Sequence, residues 1–409
     1  MVQGHESAAG PGRATIEGGT MTSASREPAR ATAAESTPTP FRFYDNRQKY
    51  LAFVNTCNEK SAVARRVAKE LAHVQPTPPA TRIFDAGMGD ATVLARLMRS
   101  THHAFPTVPM LVVAKEISLE DVRLGLEKMP DRFYEHPATV LVITNLNYSE
   151  APQLMPRDIQ AAAAFNWQEV RLTGNSTDEY ADQIEQLSST LAFGWQTKPS
   201  PKTGNPVYVR PTVLVIYRAD HKFLLDSVIP KPGRLIEGYD LILASQPWRA
   251  RMSAEFKAQK ILAPLARNLS PGGRLITIQS CGKDPGMEII NKVWPGENPF
   301  QVDRHQLLAA LRQELGREAR DFTLSALPDD KAIFRYEMHT LPSEIGDRIG
   351  TSTLYAAWNA AIYVAQIEDE RLESVVASGV YRTATQEVLQ KYGGLWFNDE
   401  SFIVTRRRY

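Results

Sequence analysis

Cysteine is close to absent, with Cys57 and Cys281 the only two in 409 residues. Two isolated thiols exclude a disulfide framework, give no basis for a metal site, and suit a reducing, cytoplasmic compartment. Long hydrophobic runs are also missing. No stretch reaches the roughly 18 apolar residues that a membrane span requires, so no membrane association is expected. An excess of either charge is lacking too, at 47 basic against 46 acidic residues, and no overall field points to nucleic acid or an acidic lipid surface. Residues 1–40 lack the apolar core of a secretory signal and are rich in Ala, Ser, Thr, Gly and Pro. They read as a disordered tail, and Met21 within it leaves a later start open.

What the chain does have is a strongly patterned stretch at residues 82–99, RIFDAGMGDATVLARLMR. Arg82, Ile83 and Phe84 form a strand-like run, Asp85-Ala86-Gly87-Met88-Gly89-Asp90 a turn, and Val93, Leu94, Leu97 and Met98 follow at helical spacing. Strand, glycine turn, helix is the arrangement in which backbone approaches a nucleotide-type ligand, at the free N–H groups of a helix N-terminus. The dinucleotide fingerprint G-x-G-x-x-G would need glycine at position 92, where Thr92 stands.

The segment resembles the first motif of class I S-adenosylmethionine (SAM) dependent methyltransferases, an acidic residue followed by alternating glycines. Asp85, Gly87 and Gly89 match, Asp90 lies within the turn, and Ala91 replaces the last glycine. The resemblance implies SAM as the cofactor, with these residues around it. A second buried strand, 110–118 (MLVVAKEIS), brings Glu116 to its tip, where a carboxylate can accept hydrogen bonds from a ribose diol. The loop THHAFPTVP lengthens the gap between Gly89 and Glu116 beyond the roughly 20 residues usual in such units.

Around this unit the chain reads as a three-layer α/β domain with a Rossmann-like, seven-stranded, mostly parallel sheet whose last strand is antiparallel. Residues 41–74 predict one or two helices ahead of the sheet, and the resemblance makes Tyr44 and Tyr50 candidates to face the cofactor, against simple packing on the sheet edge. Ser118 caps a helix at 118–129, and 138–145 is a third buried strand. Just past it, Asn145 is the choice over Thr144 and Asn147 for the adenine edge that the family reads here; an Asx-type turn is the alternative. Residues 146–238 are too long for a plain crossover and form an insertion between strands 3 and 4, read as the substrate-specificity region. It predicts strands at 167–174 and 207–226 and a helix at 176–187.

The fourth strand, 239–249, runs into Ser245-Gln246-Pro247-Trp248. This partly resembles the [DNS]-P-P-[YFW] sequence of methyltransferases acting on planar nitrogen, with Gln246 in place of the first proline. The implied roles are hydrogen bonding by Ser245 and stacking by Trp248; the alternative is a turn closed by a packed Trp. A helix at 252–269, the turn Ser270-Pro271-Gly272-Gly273 and a strand at 274–282 follow, then a helix at 303–316. The runs 321–327 and 331–341 suit the antiparallel hairpin that closes the methyltransferase sheet. The domain is therefore drawn at 41–341, and 342–409 is a C-terminal helical extension, with a final strand from Gly394 open, serving as a cap or homodimer surface.

The predicted activity is methyl transfer from SAM to a small molecule with a nitrogen or oxygen nucleophile. Methylation of protein or RNA nitrogen, an NAD-type oxidoreductase and a non-catalytic nucleotide-binding protein are the alternatives. His221, beside Asp220, leads His136, His102, His103 and His339 as candidate general base.

Overall fold

The computed structural model describes residues 47–199, 206–340, 342–346 and 349–408. The predicted disordered tail and Tyr44 lie outside these residues. Ten strands form one sheet: β1 (Thr81–Asp85), β2 (Met110–Lys115), β3 (Thr139–Thr144), β4 (Asn166–Leu172), β5 (Thr212–Arg218), β6 (Tyr239–Ser245), β7 (Leu269–Ser280), β8 (Phe322–Ser325), β9 (Ile333–Glu337) and β10 (Trp396–Arg406). Their spatial order is β8-β10-β7-β6-β1-β2-β3-β5-β4, with β9 also pairing with β10. The five strands from β3 through β2, β1 and β6 to β7 are parallel.

Every residue of β1, β2 and β3 is buried, as expected where helices cover both faces of a parallel sheet. Each fully buried Val, Leu, Ile or Phe there contributes roughly 1.5–3 kcal/mol of transfer free energy. On one face lie α2 (Glu59–Ala68) and α3 (Thr92–Ala104), the last burying Val93, Leu94, Leu97 and Met98, and α1 (Arg47–Thr56) precedes them. α4 (Leu119–Leu126) starts where Ser118 accepts from the Asp121 amide at 3.2 Å, the predicted cap.

The insertion contributes to the sheet instead of standing apart from it. β4 and α5 (Thr177–Glu185) fall where their patterns predict, and Ser176 with Glu179 closes a capping box. α6 (Ser188–Gly194) follows. The predicted long strand at 207–226 divides into a short ribbon strand Pro206–Tyr208, β5, and a turn leading to the helix Lys222–Leu225. β5 pairs antiparallel with β3, and β4 pairs parallel with β5 beyond it.

After β6, the segments Ala254–Lys257, Ala258–Leu262 and Ala263–Arg267 continue as one helix, α7, with a π turn in the middle. The Pro-Gly-Gly turn lies within the start of β7. A Cβ on Gly273 would sit 2.3 Å from the Tyr239 carbonyl oxygen, so only glycine lets the two strands approach there.

The closing hairpin needs correction. Residues 321–327 do supply the edge strand β8, but the strand between β8 and β7 is β10, from the C-terminal segment, and 331–341 supplies only β9 on the flank of β10. Between β9 and β10 the chain makes α10 (Thr351–Val364) and α11 (Val380–Tyr392), which pack with α8 (Pro285–Val293) and α1; α9 (Arg304–Leu315) covers the other face. Residues 342–409 thus complete the sheet. Their helices bury Trp358, Tyr381 and Leu389 in a core shared with Phe53 and Phe397.

Candidate functional site

The site begins where β1 ends. Asp85 is buried, and its carboxylate accepts the Gly87 amide at 3.1 Å. Burial pushes this carboxyl up to about 7; Glu116 adds to the rise, while the Gly87 N–H and Lys60 oppose it. The turn continues with Met88 donating to the Lys115 carbonyl, then Gly89 at φ +53° and Ala91 at φ +59°. Asp90 accepts from the Thr92 amide (3.2 Å) and hydroxyl (2.6 Å) at the start of α3. Burial raises the Asp90 carboxyl, but Lys60, Thr92 and Lys128 outweigh it and hold the group below its ordinary value.

Glu116 faces this turn from the tip of β2. Its Oε2 accepts the Gly89 amide at 2.7 Å, and Oε1 accepts the amides of Ile117 and Ser118 at 2.7 and 2.8 Å. A carboxylate has about four acceptor sites, so one remains for a ligand hydroxyl. The insertion clamps the same tip: Trp195 donates to the Glu116 carbonyl at 2.8 Å, and the Tyr208 hydroxyl donates to the Ile117 carbonyl.

Over the turn stand two residues from the N-terminal helices. A Cβ built on Gly89 would lie 3.2 Å from the Tyr50 hydroxyl and 3.6 Å from Lys60 Nζ. Burial lowers the Lys60 pKa, but Tyr50, Glu59, Asp90 and Tyr363 outweigh it and hold the ammonium well above its ordinary value. Burial likewise raises Glu59, takes Tyr50 to about 12 and takes Asp121 to about 6. Tyr50 was legible in the sequence. Lys60, Glu59 and Asp121 were not, since helix patterning alone makes them solvent-facing charges.

At the tip of β6 the nitrogen-methyltransferase pattern gives way. Gln246 adopts φ +48°, which proline, locked near −65°, cannot. Gln246 bonds Ser280 and Asp399 instead. Trp248 is buried, its indole donating to Gln279 at 3.0 Å with Lys257 Nζ 5.4 Å from the ring centroid, so the packed-Trp alternative holds and the stacking role is withdrawn. Ser245 stays beside the turn, its carbonyl 4.0 Å from a Cβ placed on Gly87.

Two further assignments are overturned. The Asn145 amide donates to the carbonyls of Gly194 and Arg210 and accepts the Thr212 amide at 2.8 Å, pinning α6 and β5 to β3 instead of reading an adenine. His221 follows β5, which runs antiparallel to β3, so Tyr217 pairs with Val140 at the start of β3 and His221 lies at the end of the sheet opposite Asp85. There its Nδ1 is 3.0 Å from Asp220, a carboxyl held at about 2 chiefly by Arg218. His136 and His102, whose rings stand 4.9 Å apart, occupy the same end.

Asp85, Gly87, Gly89, Asp90 and Glu116 therefore converge at the carboxyl edge of five parallel strands, beyond which a reversed strand is threaded between β7 and the edge strand β8. The fold is that of the class I SAM-dependent methyltransferases. No family model matches the sequence, and no curated protein matches it. Among solved structures, the chain is similar to a protein from Galdieria sulphuraria described as a sarcosine dimethylglycine methyltransferase, at 8% identity over 85% of each chain with a TM-score of 0.31. It is similar to phosphoethanolamine N-methyltransferase 2 from Haemonchus contortus at 9% identity, over 91% of this chain and 61% of that one, TM-score 0.29. It is similar to YjhP from Escherichia coli at 10% identity, over 88% of this chain and 100% of that one, TM-score 0.34. Likenesses this remote transfer no chemistry, which has to come from the residues of this chain.

Proposed function

We propose that this protein is a SAM-dependent methyltransferase acting on a small molecule, with the donor bound over the Gly87–Gly89 turn. The observation that carries the reading is the charge of the chamber: Asp85, Asp90, Glu116, Asp121 and Glu59 act on one another electrostatically about a turn where Lys60 is the cation common to most of them. Desolvated carboxylates favour a cationic ligand, and the SAM sulfonium and ammonium supply positive charge. The pyrophosphate of NAD would bring negative charge into the same space. Each like-charge pair at about 4 Å costs roughly 4 kcal/mol at an effective dielectric of 20, which disfavours the oxidoreductase alternative.

In this reading the remaining acceptor site of Glu116 takes one ribose hydroxyl, Asp85 faces the ammonium, and Lys60 with Tyr50 takes the carboxylate of the amino-acid end. The bound sulfonium supplies an electrophilic methyl group. The protein's share is to hold the nucleophile in line with it and exclude water, worth several kcal/mol of the barrier. The insertion, through Trp195 and Tyr208, walls the donor side, and α1, α2 and α10 cover the chamber.

Calorimetric titration tests the reading. SAM is expected to bind and NAD is not, and Glu116→Ala should weaken SAM at least tenfold, the loss of one hydrogen bond to a charged group. NAD binding without SAM binding would sink the proposal.

A further inference from the structure

A crevice of about 10 Å³, room for one water-sized group, opens at the carboxyl ends of β6 and β7. Gln246 and Ser280 line it from the strand tips, Lys257 from α7 and Gln366 from just beyond α10. Ser245, one residue before Gln246, turns its carbonyl to the donor side, 4.0 Å from a Cβ built on Gly87. Lys257 is only 1% exposed, yet its ammonium has no carboxylate partner among the described residues. Its Nζ donates to the Ala250 carbonyl at 2.9 Å and stands 5.4 Å from the Trp248 ring centroid. Glu400, the carboxylate whose field reaches it, is already bonded by Gln279 and Arg304. Burial pulls the Lys257 ammonium down to about 8, and Glu400 opposes this only in part. An ammonium has three N–H donors, so two are left. Gln366 is anchored on the same residue, its Oε1 accepting the Ala250 amide at 3.0 Å while its Nε2 has no partner among the described residues. The other two side-chain amides at the crevice are spent, Gln246 on Ser280 and Asp399, and Gln279 on Trp248, Val302 and Glu400. What the side chains here still offer is donors, one of them charged.

We propose that this crevice is the subsite for a carboxylate of the methyl acceptor, one oxygen of which takes the free donors of Lys257 and Gln366, and that the acceptor is a small carboxylic acid. The inference rests on the donor site proposed above. A buried ammonium without a counter-ion costs free energy, and a ligand carboxylate removes that cost while gaining charge-assisted hydrogen bonds. An uncharged carbonyl would use the donors but leave the charge uncompensated. A phosphate monoester, with close to two negative charges and three free oxygens, exceeds both the single ammonium and the volume. β6 pairs with β1, so an acid group held at the tip of β6 leaves the rest of the molecule to extend towards the Gly87–Gly89 turn. Binding energy from this remote group then holds the nucleophile in line with the sulfonium.

Calorimetric titration of the full chain, saturated with S-adenosylhomocysteine, compares benzoate with benzamide, which has a similar shape and no charge, and with inorganic phosphate. Benzoate is expected to bind at least tenfold tighter than benzamide, and phosphate is not expected to bind. Lys257→Met, close to lysine in length and suited to the same burial, should weaken benzoate at least tenfold while leaving the SAM dissociation constant within twofold. Gln366→Glu keeps an acceptor for the Ala250 amide and fills the crevice with a carboxylate of the chain's own, so it should abolish benzoate binding even if Lys257→Met fails to fold. Radiolabelled SAM offered to a mixture of amino and hydroxy acids and their carboxamides should label the acids; label on the carboxamides alone overturns the acceptor class. Equal affinity for benzoate and benzamide, tighter binding of phosphate, or unchanged benzoate affinity in either folded variant overturns the subsite with the donor reading intact. Absence of SAM binding by the unmodified chain overturns the donor reading itself, and benzoate titration of the free chain then decides the subsite.

Discussion

Ala91 stands where the methyltransferase motif has its last glycine, and it holds φ +59° at the entrance to α3. A left-handed alanine costs about 1–2 kcal/mol, but this methyl group is fully buried, and a buried methyl contributes about 0.8 kcal/mol while glycine would add backbone entropy to the unfolded state. The terms nearly cancel. Ala91→Gly should therefore change stability by less than about 1 kcal/mol in urea denaturation, whereas Ala91→Val, β-branched at positive φ, should cost more than about 2 kcal/mol. Trp248 poses a second test at this scale. Buried and bonded to Gln279, it should on replacement by Ala cost about 3–5 kcal/mol of stability. Loss of turnover with an unchanged denaturation midpoint would restore the stacking role.

Among the elements, β10 has the largest consequence. It pairs with β7, β8 and β9, so a chain ending at residue 341 leaves the edges of those three strands unpaired and the apolar residues around Phe402 and Val404 uncovered. Such a chain should be insoluble or lack a cooperative melt by circular dichroism; a folded, SAM-binding fragment would show β10 to be dispensable. The parallel strands, α3, α4 and α5 were legible because period and capping residues mark them locally. β10 was recognisable as a strand, but its place was not, because two runs before it carry the same pattern and pairing depends on contacts distant in sequence. The same limit explains β5: its pattern announces a strand, yet only its reversed direction carries His221 away from the chamber.

The whole molecule brings Glu59, Asp85, Glu116 and Asp121 together from four segments around one turn. A carboxyl whose pKa rises on folding favours the folded state below its unfolded value of about 4, and that contribution is lost as pH climbs through the folded value. For Asp85 the window ends at about 7, where the free protein has given up this stabilisation and the ionised chamber attracts a cation most strongly. SAM affinity should accordingly rise between pH 6 and pH 8, by up to about tenfold per unit below 7 for one proton released. Calorimetry in two buffers of different ionisation enthalpy counts that proton; flat affinity across the range would remove Asp85 from the cation site. No helix among the described residues is long and apolar enough to cross a membrane.

Taken alone, the sequence determined the β1 turn, the acidic tip of β2 and the alternation of strands and helices, because glycine spacing, strand burial and helix caps act over a few residues. Only the tertiary structure decided that Asn145 ties down the insertion, that Trp248 is a packing residue, and that Lys60 stands over the Gly89 turn. Those roles depend on which segments meet at the carboxyl edge of the sheet, and strand pairing across more than a hundred residues settles that.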